Sequence, residues 1–142
     1  MQYWLMKSEP ETWSWQQQQK RGAKGEMWDG VRNHQAANFM KAMNKGDLAF
    51  FYHSGKEKAV VGVVEVLKEH YPDPTDSVGR FVAVTVKARE TLSNPVTLSA
   101  IKAEPSLSDL YLVRQARLSV MPISAKAWKK IVAMSKVETA KK

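Results

Sequence analysis

The sequence predicts an α+β domain: a central sheet of about five to six strands, curled into a small β-barrel and flanked by helices. Three observations predict it. Two β-branched and aromatic runs, Leu48 to Tyr52 and Ala59 to Leu67, sit mid-chain around a polar turn. Helix-start signals lie on both sides of them, at Ser14, Asn33 and Ser124. No repeat or linker interrupts the 142 residues, a length that one hydrophobic core serves. Residues 1–136 are read as a single domain and residues 137–142 as a flexible basic tail.

Each element follows from its local chemistry. Tyr3 to Lys7 is rich in aromatic and apolar types and reads as a strand, which Glu9-Pro10 ends. Ser14 with Gln17 three residues on is a capping box, so a short helix runs through Gln18, Gln19 and Lys20. Gly22 and Gly25 punctuate a loop. Asn33 precedes a helix from Gln35 to Met43, whose buried stripe is Ala36, Phe39, Met40 and Met43. Asn44-Lys45-Gly46 stops it. The strands Leu48 to Tyr52 and Ala59 to Leu67 then form a hairpin over His53 to Glu57. Tyr71 to Asp76, with two prolines, cannot extend that hairpin, and its acids Asp73 and Asp76 read as solvated. Phe81, Val82, Val84 and Val86 supply the next strand. A short helix covers Ser99 to Ala103, Glu104-Pro105 breaks it, and Ser108 to Leu112 allows one more turn. Leu118 to Ile123 is a last strand whose Pro122 suits a sheet edge. Ser124 caps a terminal helix with Ala127, Trp128, Ile131 and Val132 on its apolar stripe.

Composition narrows the chemistry. With no cysteine, disulfides, thiolate metal sites and cysteine nucleophiles are excluded. Lys and Arg total 22 against 14 Asp and Glu, a formal charge of +8 that favours a polyanionic partner or simply a lysine-rich surface. No apolar run is long enough to span a membrane, and the N-terminus lacks the pattern of a signal peptide. A soluble, cytoplasmic protein with no membrane partner is expected. His34, His53 and His70 lack metal-ligand spacing. His53 and Ser54 are neighbours on a strand, so their side chains point apart and make no triad. Gly30 and Gly55 lack the Lys-Ser/Thr of a phosphate loop. These residues point to a binder rather than an enzyme, with no metal and no cofactor.

The binding signal is concentrated in Trp28-Asp29-Gly30-Val31-Arg32-Asn33. Trp28 offers a face for stacking, while Arg32 and Asn33 offer edge-reading groups, a pairing suited to a flat polar ligand such as a nucleobase. Trp28 could equally plug one end of the barrel, and Asn33 could serve as a helix cap and nothing more. Trp4 and Trp128 are read as core, and Trp13 and Trp15 as braces of a helix start. Strand ends and helix starts bring further polar groups towards one mouth: Lys7 and Ser8, Tyr52, His53 and Ser54, then Arg114, Arg117 and Ser119. The arginines also fit a plain solvated surface.

Six segments, taken together, resemble a known family. They are Tyr3 to Pro10, Trp28 to Asn33, Phe50 to Gly55, Tyr71 to Thr75, and Pro95 to Leu98 with Leu112 to Val120. In this order they are similar to the EVE domain family and cover nearly the whole chain. The resemblance implies a PUA-like fold related to YTH and ASCH domains. It implies an aromatic pocket for a modified base, 5-methylcytosine among the candidates, with Lys7-Ser8 beside it and Trp28 in its wall. The chain departs from the family at His34, where Tyr is frequent, and at Phe81, where Trp is frequent. Both departures bear on which base is preferred.

The resulting expectation is a monomeric, non-enzymatic module that binds DNA or RNA carrying a modified base. Its ligand-binding residues would be Lys7, Ser8, Trp28, Arg32, Asn33, Tyr52, His53, Ser54, Arg114 and Ser119. Two alternatives stay open: an enzyme or sensor for a small nucleotide-like ligand, and a protein-interaction module with a vestigial pocket.

Overall fold

Adjacent aromatics on one strand organise the molecule, because Phe50 and Phe51 are both fully buried. Alternation along a strand sends them to opposite faces, so both faces of the sheet must be covered. The structure, a computed structural model, describes residues 1–136; the expected basic tail, residues 137–142, lies outside the described residues. Among the described residues no helix is long and apolar enough to cross a membrane.

The strands are β1 (Tyr3–Ser8), β2 (Glu26–Trp28), β3 (Leu48–His53), β4 (Ala59–Pro72), β5 (Val82–Thr97) and β6 (Val120–Ile123). The helices are α1 (Trp15–Lys20), α2 (His34–Lys41), α3 (Leu98–Ala103), α4 (Tyr111–Arg114) and α5 (Ala125–Ser135). The sheet runs β2-β5-β4-β3-β1-β6. β1 and β3 are parallel, joined by the long crossover that carries α1, β2 and α2, and the other pairings are antiparallel. Six strands form the sheet, and among the described residues nothing pairs β2 with β6, so the sheet is open where a curled β-barrel was expected from sequence. One reason is visible at the two ends. β2 has three residues, and β6 carries Pro122, which has no N–H to offer a further strand.

The local signals act as expected at the helix starts. Gln17 N donates to Ser14 Oγ at 3.2 Å and Ser14 N to Gln17 Oε1 at 2.9 Å, a complete capping box. Asn33 Oδ1 accepts from Ala36 N at 2.8 Å, and Ser124 Oγ from Ala127 N at 3.1 Å. The strands differ more. β4 and β5 run on as a long antiparallel ribbon through Tyr71-Pro72 and through Lys87 to Asn94, with several register shifts. These stretches are largely exposed, so they show none of the apolar alternation that marks a half-buried strand.

Phe50 stacks on Trp128 of α5 at 3.8 Å, and Tyr3 stacks on the same ring at 4.6 Å. On the other face Phe51 meets Trp15 at 5.2 Å and Trp28 edge-on at 5.6 Å. The Trp15 ring lies directly on Gly62 of β4, where an added Cβ would stand 2.4 Å from Trp15 Cζ2. Gly62→Ala is therefore expected to destabilise the fold by about 1–3 kcal/mol, because a rigid indole has nowhere to move. Urea denaturation measures it, and an unchanged midpoint would show that the ring shifts freely.

Candidate functional site

Beside the Phe51 face, the ends of β1 and β2 enclose a cavity of ≈ 320 Å³. That is near the lower end of ligand pockets, roughly 300–1,000 Å³, and suits one planar ring system better than a larger ligand. Its walls are Lys7 and Ser8 from β1, Glu9, Thr12 and Trp13 from the following turn, and Glu26, Met27, Trp28 and Asp29 from β2 and its exit.

Each wall is held by identifiable bonds. Trp28 is fixed by β2–β5 pairing opposite Val84 and by the edge contact with Phe51. It is only 8% exposed, so most of the ring is structural and the remainder borders the cavity. Trp28 is thus a buried packing residue whose uncovered part borders the cavity, not an exposed ring. Trp13 is held by Gln18, which is fully buried. Gln18 Oε1 accepts from Trp13 Nε1 at 2.9 Å, and its Nε2 donates to Val86 O at 3.1 Å. Ser8 Oγ donates to Trp13 O at 2.5 Å, tying the two walls together.

The lining carries three carboxylates against one ammonium. Glu26 is paired with Arg21 at 3.0 Å, and Glu9 accepts from Ser54 Oγ at 2.8 Å. Asp29 has no hydrogen-bond or ion-pair partner among the described residues and is exposed. Lys7 Nζ donates to Ala116 O at 2.8 Å and lies over the Tyr52 ring at 5.7 Å. Burial lowers the Lys7 ammonium from its ordinary value and raises the Tyr52 phenol to about 12, so Tyr52 stays neutral at physiological pH.

The expected site residues are distributed unevenly. Lys7, Ser8 and Trp28 border the cavity, whereas Arg32, Asn33, Tyr52, His53, Ser54, Arg114 and Ser119 do not. Tyr52 is buried. His53 Nε2 accepts from Trp15 N at 3.0 Å and its Nδ1 meets Glu57 Oε1 at 2.7 Å, so this imidazole caps α1. Ser119 contributes its carbonyl to Lys7 N. Asn33 borders a separate depression with Gln35, Gln115 and Arg117. Arg114 borders a third. Arg32 turns to Asp73 at 3.1 Å and Thr75 at 3.0 Å.

Asp73 corrects the sequence reading, which had it solvated. It is 2% exposed and accepts from Gly30 N, Thr75 N, Thr75 Oγ1 and Arg32 Nη1. His34 and Phe81, the two departures from the family pattern, pack on each other at 4.9 Å, and neither borders the cavity. Glu9, Thr12, Trp13, Glu26, Met27 and Asp29 were not anticipated as lining. Among the described residues no cluster of three or more His, Asp or Glu could hold a metal.

The EVE domain model matches residues 2–134. Rat thymocyte nuclear protein 1 is 47% identical over 51% of this chain and 37% of that protein. The chain thus spans little more than a third of the rat protein's length, and the chicken protein is 34% identical over 86% of this chain and 64% of that protein. Among solved structures, Rpa0253 from Rhodopseudomonas palustris has a TM-score of 0.90 and 53% identity, covering 95% of this chain and 93% of that one. The human THYN1 protein, in complex with DNA containing 5-methylcytosine, has a TM-score of 0.92 and 28% identity, covering 97% and 99%. The YTH domain of Zygosaccharomyces rouxii MRB1 shares the fold at a TM-score of 0.56 and 18% identity, covering 97% and 86%.

Proposed function

The chain belongs to the EVE domain family, and on that premise we propose that it is a non-enzymatic reader of a modified base in DNA or RNA. One observation carries the reading. A cavity the size of one base is bordered by two tryptophans and by an unpaired carboxylate. The relative solved with 5-methylcytosine DNA supports a methylated cytosine as the first ligand to test.

In this reading the flipped base stacks on Trp28 and its methyl group meets Trp13 or Met27. Asp29 accepts from the exocyclic amine of the base, the pairing by which carboxylates select cytosine. Lys7 faces the sugar or phosphate. Ser8, His53 and Ser54 position the walls through Trp13, Trp15 and Glu9. Arg32 and Asn33 hold the turn and helix that follow Trp28. Arg114 and Ser119 lie on the Lys7 side.

Tryptophan fluorescence, titrated with 5-methylcytosine, N6-methyladenine and unmodified oligonucleotides as DNA and RNA, tests the reading. Burying one methyl is worth about 0.8 kcal/mol, so roughly fourfold tighter binding of the methylated strand is expected. A flat response to every strand at low salt sinks the proposal. A free methylated nucleoside that binds as tightly as the strand, without salt dependence, points instead to a small-molecule sensor.

Asp29→Ala leaves packing intact, since Asp29 is exposed. It is expected to weaken binding of the cytosine-type base roughly tenfold, the value of one charge-assisted hydrogen bond. The preference for methylated cytosine over thymine should fall with it. An unchanged ratio would remove Asp29 from recognition.

A further inference from the structure

A cavity that takes one base leaves the rest of the strand to be placed. Among the groups that line the cavity, Lys7 supplies the one ammonium; Glu9, Glu26 and Asp29 are carboxylates that do not favour phosphate, and Glu26 is already paired with Arg21. The Lys7 ammonium is bound to Ala116 O at 2.8 Å, and Ala116 borders the second depression, ≈ 310 Å³, with Asn33, Gln35, Gln115 and Arg117. Gln115 in turn borders the third, ≈ 440 Å³, with Asp109, Tyr111 and Arg114. The side chains of Arg114 and Arg117 are exposed and have no ion-pair partner among the described residues. The second and third hollows share Gln115, and the Lys7–Ala116 bond links the lining of the first to that of the second.

We infer that the single strand leaves the base pocket over Lys7, that the Asn33–Gln115 hollow takes the neighbouring nucleotide, and that Arg117 and Arg114 bind its phosphates. This rests on the base-reading proposal and deepens it by giving the strand a direction and a second subsite. The chemistry fits. Amide side chains match the donor and acceptor edge of a base, and arginine matches phosphate bidentately. The affinity of the module then depends on the neighbour as well as on the modified base.

The test compares wild type, Gln115→Ala/Arg117→Ala, Arg117→Lys and Trp28→Ala. The probes are a single-stranded nonamer with a central 5-methylcytosine, as DNA and as RNA, and free 5-methyl-2′-deoxycytidine. In whichever nonamer wild type binds, the double variant is expected to lose about tenfold in affinity and about 0.7 in the slope of log K against log salt. Its affinity for the free nucleoside stays at the wild-type value. Arg117→Lys keeps the slope. Unchanged nonamer affinity and slope in the double variant, with Trp28→Ala impaired, overturn the path and leave the pocket standing. Equal weakening towards nonamer and nucleoside also overturns it, because the residues would then act through the pocket. Trp28→Ala binding the nonamer as well as wild type overturns the pocket reading itself, and the path with it. Thermal melts by circular dichroism confirm that each variant is folded.

Discussion

Trp28→Ala is expected to bind a methylated oligonucleotide about 10–100-fold more weakly than wild type. Base–aromatic stacking is worth roughly 1–3 kcal/mol, and each 1.4 kcal/mol is a factor of ten. The same change should destabilise the fold, because the ring is 8% exposed and packs edge-on against Phe51 at 5.6 Å. Truncating a buried tryptophan costs about 3–5 kcal/mol, within reach of the total stability of a domain this size. The two effects separate with Trp28→Phe. A phenyl ring keeps most of the contact with Phe51 and a smaller stacking face, so stability recovers more than affinity does. Fluorescence of the remaining tryptophans follows folding, and anisotropy of a labelled strand follows binding. A folded Trp28→Ala protein with wild-type affinity would end the case for the pocket.

What was legible in the sequence was local. Ser14 with Gln17, Asn33 and Ser124 each announce a helix because the bonds they make close within three residues. The β3–β4 hairpin was legible for a similar reason: two apolar runs meet across a five-residue turn. β2 was not. Its three residues pair with Thr85 and its neighbours on β5, nearly sixty positions away, and no local pattern encodes such a pairing. The site divides along the same line. Trp28 and Lys7-Ser8 stand in segments whose composition and family resemblance mark them. Trp13 borders the cavity only because Gln18 is buried against Val86 O, and in sequence Gln18 is one of four consecutive glutamines. Asn33 had two readings, and its Oδ1 is committed to the cap. Asp73 looked solvated because its partners Gly30 and Arg32 lie more than forty residues earlier.

Asp73→Ala is expected to destabilise the protein by about 3 kcal/mol, since removing a buried charged acceptor strands its donors. For a domain of this length that lowers Tm by about 10 °C. The donors are Gly30 N, Thr75 N, Thr75 Oγ1 and Arg32 Nη1, so one carboxylate joins the turn after Trp28 to the loop after β4. Arg32 is half-exposed and regains water when Asp73 is lost, but Gly30 N loses its acceptor. The pH dependence gives an independent signature. Burial pushes the Asp73 carboxyl up, but the bonds from Thr75, Gly30 and Arg32 outweigh it and hold the group at about 2. Its folded value lies below its unfolded value. The stability it contributes is therefore full above about pH 4 and is lost as pH falls through about 2. The shift corresponds to about 2 kcal/mol. Asp73→Asn keeps the shape but not the charge, and its stability should fall less steeply than wild type across that acid window. Because Asp73 fixes Gly30, both variants should also loosen Trp28 and lower affinity for the methylated strand at neutral pH. Melting curves of the two variants that overlay wild type from neutral pH down to about 2 would show that the turn holds Trp28 without Asp73.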